Sequence, residues 1–572
     1  MAIGAKGIYE VRKVTDIREA IYGAAELFGE KDALLEKNKA TDKYEAYSYN
    51  RFVKDIKSLG TALCNMGLKD KRVVVMGENR YLWSVSYMAV VNGTGIVVPV
   101  DVQLNQNDLK YIFESSKPEA VIFTDKKANE IKNLAEELSF IKYFINMDGN
   151  YSDNERFFNV RDLLSKGDKL IESGDRTFLD AKIDTEETLI ILYTSATTSV
   201  SKAVQLSHRN IVSNLMAMSS MINIKPTDVF LSILPLHHTY ECTCGFMCPL
   251  YLGASIGYAE GLKHIKKNME ELKPSVMLSV PLLFEGMYKN IIKAAEKSGS
   301  LKKLNAVMKV ADTLHLSRNI RRKLFSAVIA GLGGNMRLMV SGAAAISPAV
   351  AKFYRSIGVA FLQGYGLTEC SPIICLNSDK DFVDASAGKP LPGVEIVILD
   401  KDTDGIGEIC AKGPNIMKGY MDMPEENARI FEGGYFHTGD LGYMDENNFV
   451  YITGRKKSMI VTKTGKNIFP EELEQKLAKS KFVEECLVFG VNDKEGDSIV
   501  TAAVFPALQV FEDEFKNTDK KFIYNKMMEL VKEVNSQFPT YKAIKKLVIR
   551  DTEFVKTTTR KIKRYGENLK VD

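Results

Sequence analysis

Residues 188–221 read TLIILYTSATTSVSKAVQLSHRNIVSNLMAMSSM. The opening TLIILY, 188–193, is a continuous aliphatic and β-branched run, the pattern of a strand buried on both faces. Thr194, Ser195, Thr197, Thr198, Ser199 and Ser201 follow, with Lys202 close behind. Ser207 then stands where an N-cap belongs, ahead of the helical pattern HRNIVSNLMAMSSM. Small hydroxyl residues leaving the end of a buried strand can donate from side chains and backbone N–H groups to phosphate oxygens, while one lysine balances charge. On composition alone, a Ser/Thr-rich surface loop is an equal reading. The GxxxxGK[ST] pattern occurs neither here nor elsewhere in the chain, which disfavours a P-loop kinase.

Working outward, RVVVM at 72–76, AVIF at 120–123 and SVMLSV at 275–280 are further buried strands, separated by helical patterns. Ser347-Pro348 opens another helix running towards Arg355. Strand–helix alternation predicts an α/β fold of parallel sheets covered by helices. From about Asp384 the texture changes to short, turn-punctuated strands (VEIVILD, GEICAKG, NFVYITG), a small β-rich subdomain. FPEELEQKLAKS is an acidic-capped helix, and strands near 485–491 and 499–505 with a helix near 520–537 predict a small α+β terminal domain. The boundary falls near 454–457, giving a large domain over 1–454 and a small one over 455–572.

The chain has 572 residues, 45% hydrophobic and 26% charged, enough for three or four domain-sized units. A net charge of +4 is too balanced for a dedicated nucleic-acid binder. From Tyr541 onward there are ten basic and four acidic residues, so this segment carries +6 and the rest −2. Such a tail reads as a solvated face or as a segment that delivers positive charge to a polyphosphate. Eight cysteines are too sparse for a disulfide scaffold; Cys242, Cys244 and Cys248 sit in an apolar stretch and read as packing residues rather than metal ligands. The N-terminal sequence lacks a signal-peptide core, and no apolar run reaches the roughly 18 residues of a membrane span. These features point to a cytoplasmic protein. The Lys/Arg-rich helical stretch 288–334 reads first as an amphipathic surface insertion, and in a sharper reading as a basic face on the inner surface of the membrane.

The 193–208 segment resembles the TSGTTG-x-PKG motif of the adenylate-forming superfamily of acyl-CoA synthetases, adenylation domains and luciferases. Other motifs follow in the family's order: PLHHTYE at 235–241, SGAAAIS at 341–347, QGYGLTE at 363–369, HTGD at 437–440, YITGRKKSMI at 451–460 and KTTTRKIKR at 556–564. The resemblance implies ATP, Mg²⁺ and CoA as cofactor and co-substrates. It implies that Thr194, Ser195, Thr197, Thr198 and Lys202 hold phosphates, that Thr368 contacts the α-phosphate, and that Glu369 helps hold the metal. Gly342, Ala343, Ala344, Gly364, Tyr365 and Gly366 would wall the adenine pocket, Asp440 would accept from the ribose hydroxyls, and Arg455 would support it. His237 would gate the carboxylate end of the acyl site. Lys561 would be the catalytic lysine of the terminal domain, Lys457 the hinge, and Gly465 part of the thiol tunnel.

Several positions depart from the family pattern. Ala196, Ser199 and Ala203 stand where glycine is usual, Ser201 where proline is, and Arg560 replaces the glycine before Lys561. Each added Cβ could stiffen or obstruct a phosphate loop. The basic insertion leading into KLFSAVIAGLGG resembles long-chain fatty acid ligases, so the implied reaction is activation of a medium- or long-chain fatty acid to acyl-AMP and transfer to CoA. Gly245, Phe246, Met247, Pro281, Leu283 and Phe284 are compatible with an acyl pocket. An acyl carrier protein offers the same phosphopantetheine thiol and stays open as acceptor. A degenerate nucleotide- or acyl-binding protein is the alternative of another class.

Overall fold

The computed structural model describes residues 6–149, 155–194, 201–462, 466–492, 498–556, 562–564 and 566–570. The chain forms two compact units, the first built from 1–194, 202–396 and 411–436, the second mainly from 397–410 and 437–572.

The first unit is built on two large sheets. One has eight strands, centred on Lys71–Met76, Gly95–Val100 and Thr188–Thr194. The other has nine and includes Val229–Ser232, Val276–Ser279, Leu338–Ser341 and Ala360–Gly366. The central pairings are parallel, for example Lys71–Met76 with Gly95–Val100 and Val276–Ser279 with Leu338–Ser341. The apolar runs seen in the sequence are these strands, buried along their centres: Val73–Met76, Leu189–Leu192, Val276–Ser279 and Leu338–Ser341. Antiparallel pairs appear at the edges and where the hydroxyl-rich segment turns back, Thr188–Thr194 against Lys202–Ser207. Ser207 caps the helix His208–Ser219 as its sequence indicates, in a reciprocal capping box with Asn210.

That turn explains one departure from the family pattern. Ala203 lies in a ladder opposite Tyr193, and its carbonyl accepts from the Met421 backbone N–H at 2.9 Å. Extended backbone suits alanine, so no glycine is required there. Ala196 and Ser199 lie outside the described residues.

The basic stretch is helical, as its pattern indicates, in Pro281–Lys297, Leu301–Thr313, Arg318–Leu324 and Ser326–Gly331. Its inward residues pack around Phe284, Ala311, Phe325, Tyr354 and Phe361. Phe284 is therefore core, edge-on to Phe361 at 5.2 Å, and Phe246 packs edge-on to Phe52 at 6.3 Å.

The second unit contains a four-stranded sheet that includes Phe436–Met444 and Val450–Arg455, and a three-stranded sheet of Val483–Asn492, Ser498–Pro506 and Lys546–Ile549. Helices Pro470–Leu477 and Lys520–Asn535 bury Leu473, Leu477, Ile523, Met527 and Val531 in the core with that second sheet. All eight cysteines are buried and free of disulfides.

Three buried ionisable groups of the first unit predict a stability maximum in pH. His208 accepts from the Ile17 backbone N–H at 3.2 Å, and burial pushes its imidazole down to about 4. Burial likewise lowers His237 to about 3 and raises Glu241 to about 8. A histidine lowered in the fold stabilises above its unfolded value of 6.5 and loses that contribution as the pH falls. An acid raised in the fold stabilises below its unfolded value of 4.5 and loses that contribution as the pH rises towards about 8. Between 4.5 and 6.5 the two histidines outweigh the one acid, so stability falls on acidification by about 1.4 kcal/mol per pH unit. Above 6.5 Glu241 is the one of the three that still sets a slope, in the opposite sense. Urea denaturation followed by the single tryptophan, Trp83, should show a maximum near pH 6.5, and Glu241→Gln should flatten the alkaline limb.

Candidate active site

In parallel sheets, ligand sites form beyond the carboxyl ends of the strands, where loops carry polar groups over an apolar floor. The motif residues of the first unit follow this rule. Thr194 ends one strand and pairs with Lys202 at the start of the next, its Oγ1 donating to the Lys202 carbonyl at 3.4 Å. Lys202 extends over the ring of Tyr420, 4.5 Å from its centroid, and forms an ion pair with Glu426. The Tyr420 hydroxyl donates to Glu369 Oε1 at 2.8 Å. Thr368, next to Glu369, accepts from Thr239 Oγ1 at 3.4 Å. One aromatic ring thus links the lysine of the hydroxyl-rich segment to the carboxylate implied as metal ligand.

Neither Tyr420 nor Glu426 stands out in the sequence. Strand Gly419–Tyr420 pairs with Lys202–Ser207, aligning Tyr420 with Val204 across more than 200 residues of chain. Arg429, and with it Lys202, holds the Glu426 carboxyl down at about 2. Burial, and then Glu369, pushes the Tyr420 phenol far up, so the ring stays neutral and donates.

The loops around this cluster are tightly specified. A Cβ at Gly366 would lie 1.8 Å from the Pro372 carbonyl oxygen, and one at Gly342 would lie 2.7 Å from the Tyr240 ring. Both positions therefore exclude side chains. Ala343, exposed just beyond the buried Gly342, holds a left-handed φ of 71°, a conformation that costs alanine on the order of 1–2 kcal/mol. Gly364 and Tyr365 lie in strand Ala360–Gly366, with Tyr365 only 8% exposed.

His237 and His238 follow strand Val229–Ser232, their rings 4.1 Å apart. Asn79 clamps their loop: its Nδ2 donates to the Leu234 carbonyl at 2.7 Å and to Ser232 Oγ at 3.1 Å, and its Oδ1 accepts from the Leu236 N–H at 3.0 Å. Behind the loop, Glu241 Oε1 accepts from Ser232 Oγ at 2.6 Å.

Beneath the strand ends lies a cavity of about 40 Å³, with Tyr240, Cys244, Cys248, Ser341, Gly364 and Ile373 in its wall. Its lining is almost wholly apolar. Cys244 and Cys248 are part of that wall, and burial raises the Cys248 thiol to about 11, so neither behaves as a ready thiolate. None of Gly245, Phe246, Met247, Pro281, Leu283 and Phe284 lines this cavity.

In the second unit, Asp440 and Arg455 face each other across adjacent strands, Nε to Oδ1 at 2.9 Å, with Asp440 buried and Arg455 exposed. The preceding turn is fixed by Glu408, which accepts from the Gly439 N–H at 3.1 Å, His437 Nδ1 at 3.1 Å and Lys456 Nζ at 2.8 Å. Burial pushes the Glu408 carboxyl up, but Lys456 and His437 together outweigh it and hold it below the usual range. Glu408, Cys410 and His437 bring three donor atoms within 4.8 Å of one another, yet Lys456 already supplies the positive charge a metal would bring. Lys457 is exposed just beyond Arg455. Ser195, Thr197, Thr198, Gly465 and Lys561 lie outside the described residues.

A family profile described as AMP-binding enzyme matches residues 23–421, and one described as AMP-binding enzyme C-terminal domain matches 457–566. Fatty acyl-CoA synthetase B of Dictyostelium discoideum is 29% identical over 85% of this chain and 75% of its own length. Human long-chain-fatty-acid–CoA ligase 1 is 28% identical over 87% and 77%. The anthranilate CoA ligase AuaEII, solved with anthranoyl-AMP, superposes with a TM-score of 0.76 at 18% identity over 98% of this chain and 96% of that one, a likeness of fold. The chain belongs to the AMP-binding enzyme family and is an adenylate-forming enzyme close to the fatty acid–CoA ligases.

Proposed function

We propose that the chain activates a medium- or long-chain fatty acid with ATP, giving acyl-AMP and pyrophosphate, and then transfers the acyl group to the CoA thiol, releasing AMP. The observation that carries this reading is the cluster of Lys202, Tyr420, Glu369 and Thr368 at the strand ends, with a small apolar cavity beside it whose wall includes Tyr240, Ser341 and Gly364. At about 40 Å³ the cavity takes only a few atoms of such a chain, so an acyl chain entering beside Thr239, Thr368 and His237 must open it further. A carboxylate oxygen is a poor leaving group; attack on the α-phosphate converts it to a mixed anhydride from which AMP can leave. Both partners are anions, so the residues around them must offset charge and align them.

Lys202 supplies an ammonium to the departing phosphates, and Thr194 and Thr368 supply hydroxyls. Glu369 has one oxygen held by the Tyr420 hydroxyl, and its neighbour in sequence, Thr368, carries a hydroxyl. This hard oxygen set suits Mg²⁺, which when bound supplies charge neutralisation on the phosphates. Asp440, oriented by Arg455, accepts from the ribose hydroxyls. Lys561 brings a second ammonium to the bridging oxygen, Lys457 is the pivot of the small domain, and Gly465 lies in the thiol tunnel. CoA is favoured as acceptor by the names of several relatives. A plant relative named as a long-chain-fatty-acid–[acyl-carrier-protein] ligase, 25% identical over 90% of this chain, keeps the carrier-bound thiol as the second acceptor to test.

ATP–pyrophosphate exchange without thiol, across short, medium and long acids, tests the reading. Exchange should appear with one length class, and Cys244→Phe, which adds more bulk than the small cavity holds and so blocks its opening, should reduce it at least tenfold for the longest acid while sparing short ones. Exchange with no acid, despite nucleotide binding, favours the degenerate binder. Single turnovers with CoA and with acyl carrier protein then separate the acceptors.

Lys202 must leave Glu426 to meet a phosphate, and Arg429 keeps Glu426 paired when it does. Glu426→Gln should lower the KM for ATP roughly two- to fivefold at low ionic strength, with the advantage shrinking as salt screens it.

The basic helices suit peripheral contact with an anionic membrane. Val310 and Leu314 are exposed one turn apart, as are Ile320 and Leu324, and Lys302, Lys303, Lys309, Arg318 and Lys323 are exposed among them. Among the described residues no helix is long and apolar enough to cross a membrane. Flotation should recover the protein with vesicles rich in phosphatidylglycerol and not with pure phosphatidylcholine; Leu314→Glu with Leu324→Glu should abolish recovery.

A further inference from the structure

Two buried polar atoms of the first unit face each other without partners among the described residues: Asp101 Oδ2 and His237 Nε2. They are 3.7 Å apart, and the side chains are 9% and 7% exposed. Asp101 directly follows strand Gly95–Val100, and its other oxygen, Oδ1, accepts from the Gln103 N–H at 2.8 Å. That bond orients the carboxylate and aims Oδ2 at the imidazole. The separation is too long for a direct hydrogen bond, yet too short to hold a water bridged by two bonds of about 2.8 Å in line. A closure of about 0.8 Å would make it a normal N–H···O bond. Hydrogen bonds of active sites are often long in the free enzyme and tighten around substrate.

We infer that Asp101 is the positioning residue for His237: its carboxylate accepts from Nε2–H, fixing the ring's tautomer and the angle at which it stands over the carboxyl end of the acyl site. This rests on the reading of His237 as the gate of that site. The ring is neutral, because burial lowers its imidazole to about 3, so it has one N–H to place. Asp101 and Asn79 lie at the ends of neighbouring parallel strands, Lys71–Met76 and Gly95–Val100. They act on one loop in complementary ways. Asn79 fixes the backbone on either side of Pro235, and Asp101 fixes the ring two residues further on. The family motif around His237 does not contain the aspartate, which lies 136 positions upstream.

A double-mutant cycle in ATP–pyrophosphate exchange tests the pair. His237→Ala should raise the KM for the preferred fatty acid about tenfold, leaving the KM for ATP within twofold. Asp101→Ala should do the same, and the double variant should match either single one, since each removes the same contact. Asp101→Asn keeps the acceptor for the Gln103 N–H and presents an amide N–H₂ to the ring; it should fold as wild type by Trp83 fluorescence and still show the tenfold effect. Wild-type kinetics of Asp101→Asn, or single effects that multiply in the double variant, would overturn the pairing. A wild-type fatty-acid KM for His237→Ala would overturn the gate itself, and the pairing with it. A loss of both substrates' KM in Asp101→Asn would mark a general structural role and also overturn the proposal.

Discussion

At the carboxyl edges of its two large sheets, the first unit is joined by a single side-chain amide that makes three hydrogen bonds. Asn79 leaves the end of strand Lys71–Met76, in the eight-stranded sheet, and takes up three groups of the loop that leaves strand Val229–Ser232, in the nine-stranded one. Each sheet buries its own strands without help. What neither can do alone is fix where its carboxyl edge stands relative to the other's, and the motif residues come from both edges. The amide is planar and its donor and acceptor are spent on one short stretch of backbone, so a small displacement breaks all three bonds together. The groups are part-buried, so each bond contributes on the order of 1 kcal/mol and the three together favour one register of the two edges.

Much of this was legible in the sequence, for physical reasons. Buried parallel strands must be apolar at every position, so TLIILY and RVVVM announce themselves, and Ser207 announces the helix it caps. The motif residues follow because the chemistry of a polyphosphate restricts which side chains can face it. The parts that were not legible are pairings. Tyr420 and Glu426 look like ordinary residues of a turn and a helix start until a short strand carries them to Lys202. Asp101 resembles any aspartate after a strand. Phe246 and Phe284 are fully buried packing residues, and the cavity in this unit is walled by others, Tyr240, Cys244 and Cys248 among them. Hydrophobicity marks burial, not which buried space stays empty.

Charge in the first unit is held in reserve rather than left open. Lys202 and Glu369 each have a protein partner, and both partners lie within the short span 420–426. On the proposed reading, a triphosphate exchanges existing contacts rather than meeting bare charges, while Glu426 also holds Arg429. In the second unit the same economy is visible around Glu408, whose three donors fix the turn that precedes Asp440.

Ala203 carries a different lesson. Where the family commonly has glycine, this chain has a residue in a regular ladder, 5% exposed and packed with Ile191 and Met421. The constraint at that position is thus one of volume and not of backbone freedom. Over evolutionary drift it should admit serine or cysteine as readily as alanine and refuse anything bulky. Glycine content at the far end of such a loop is then a poor gauge of whether a distant homologue has kept its nucleotide site.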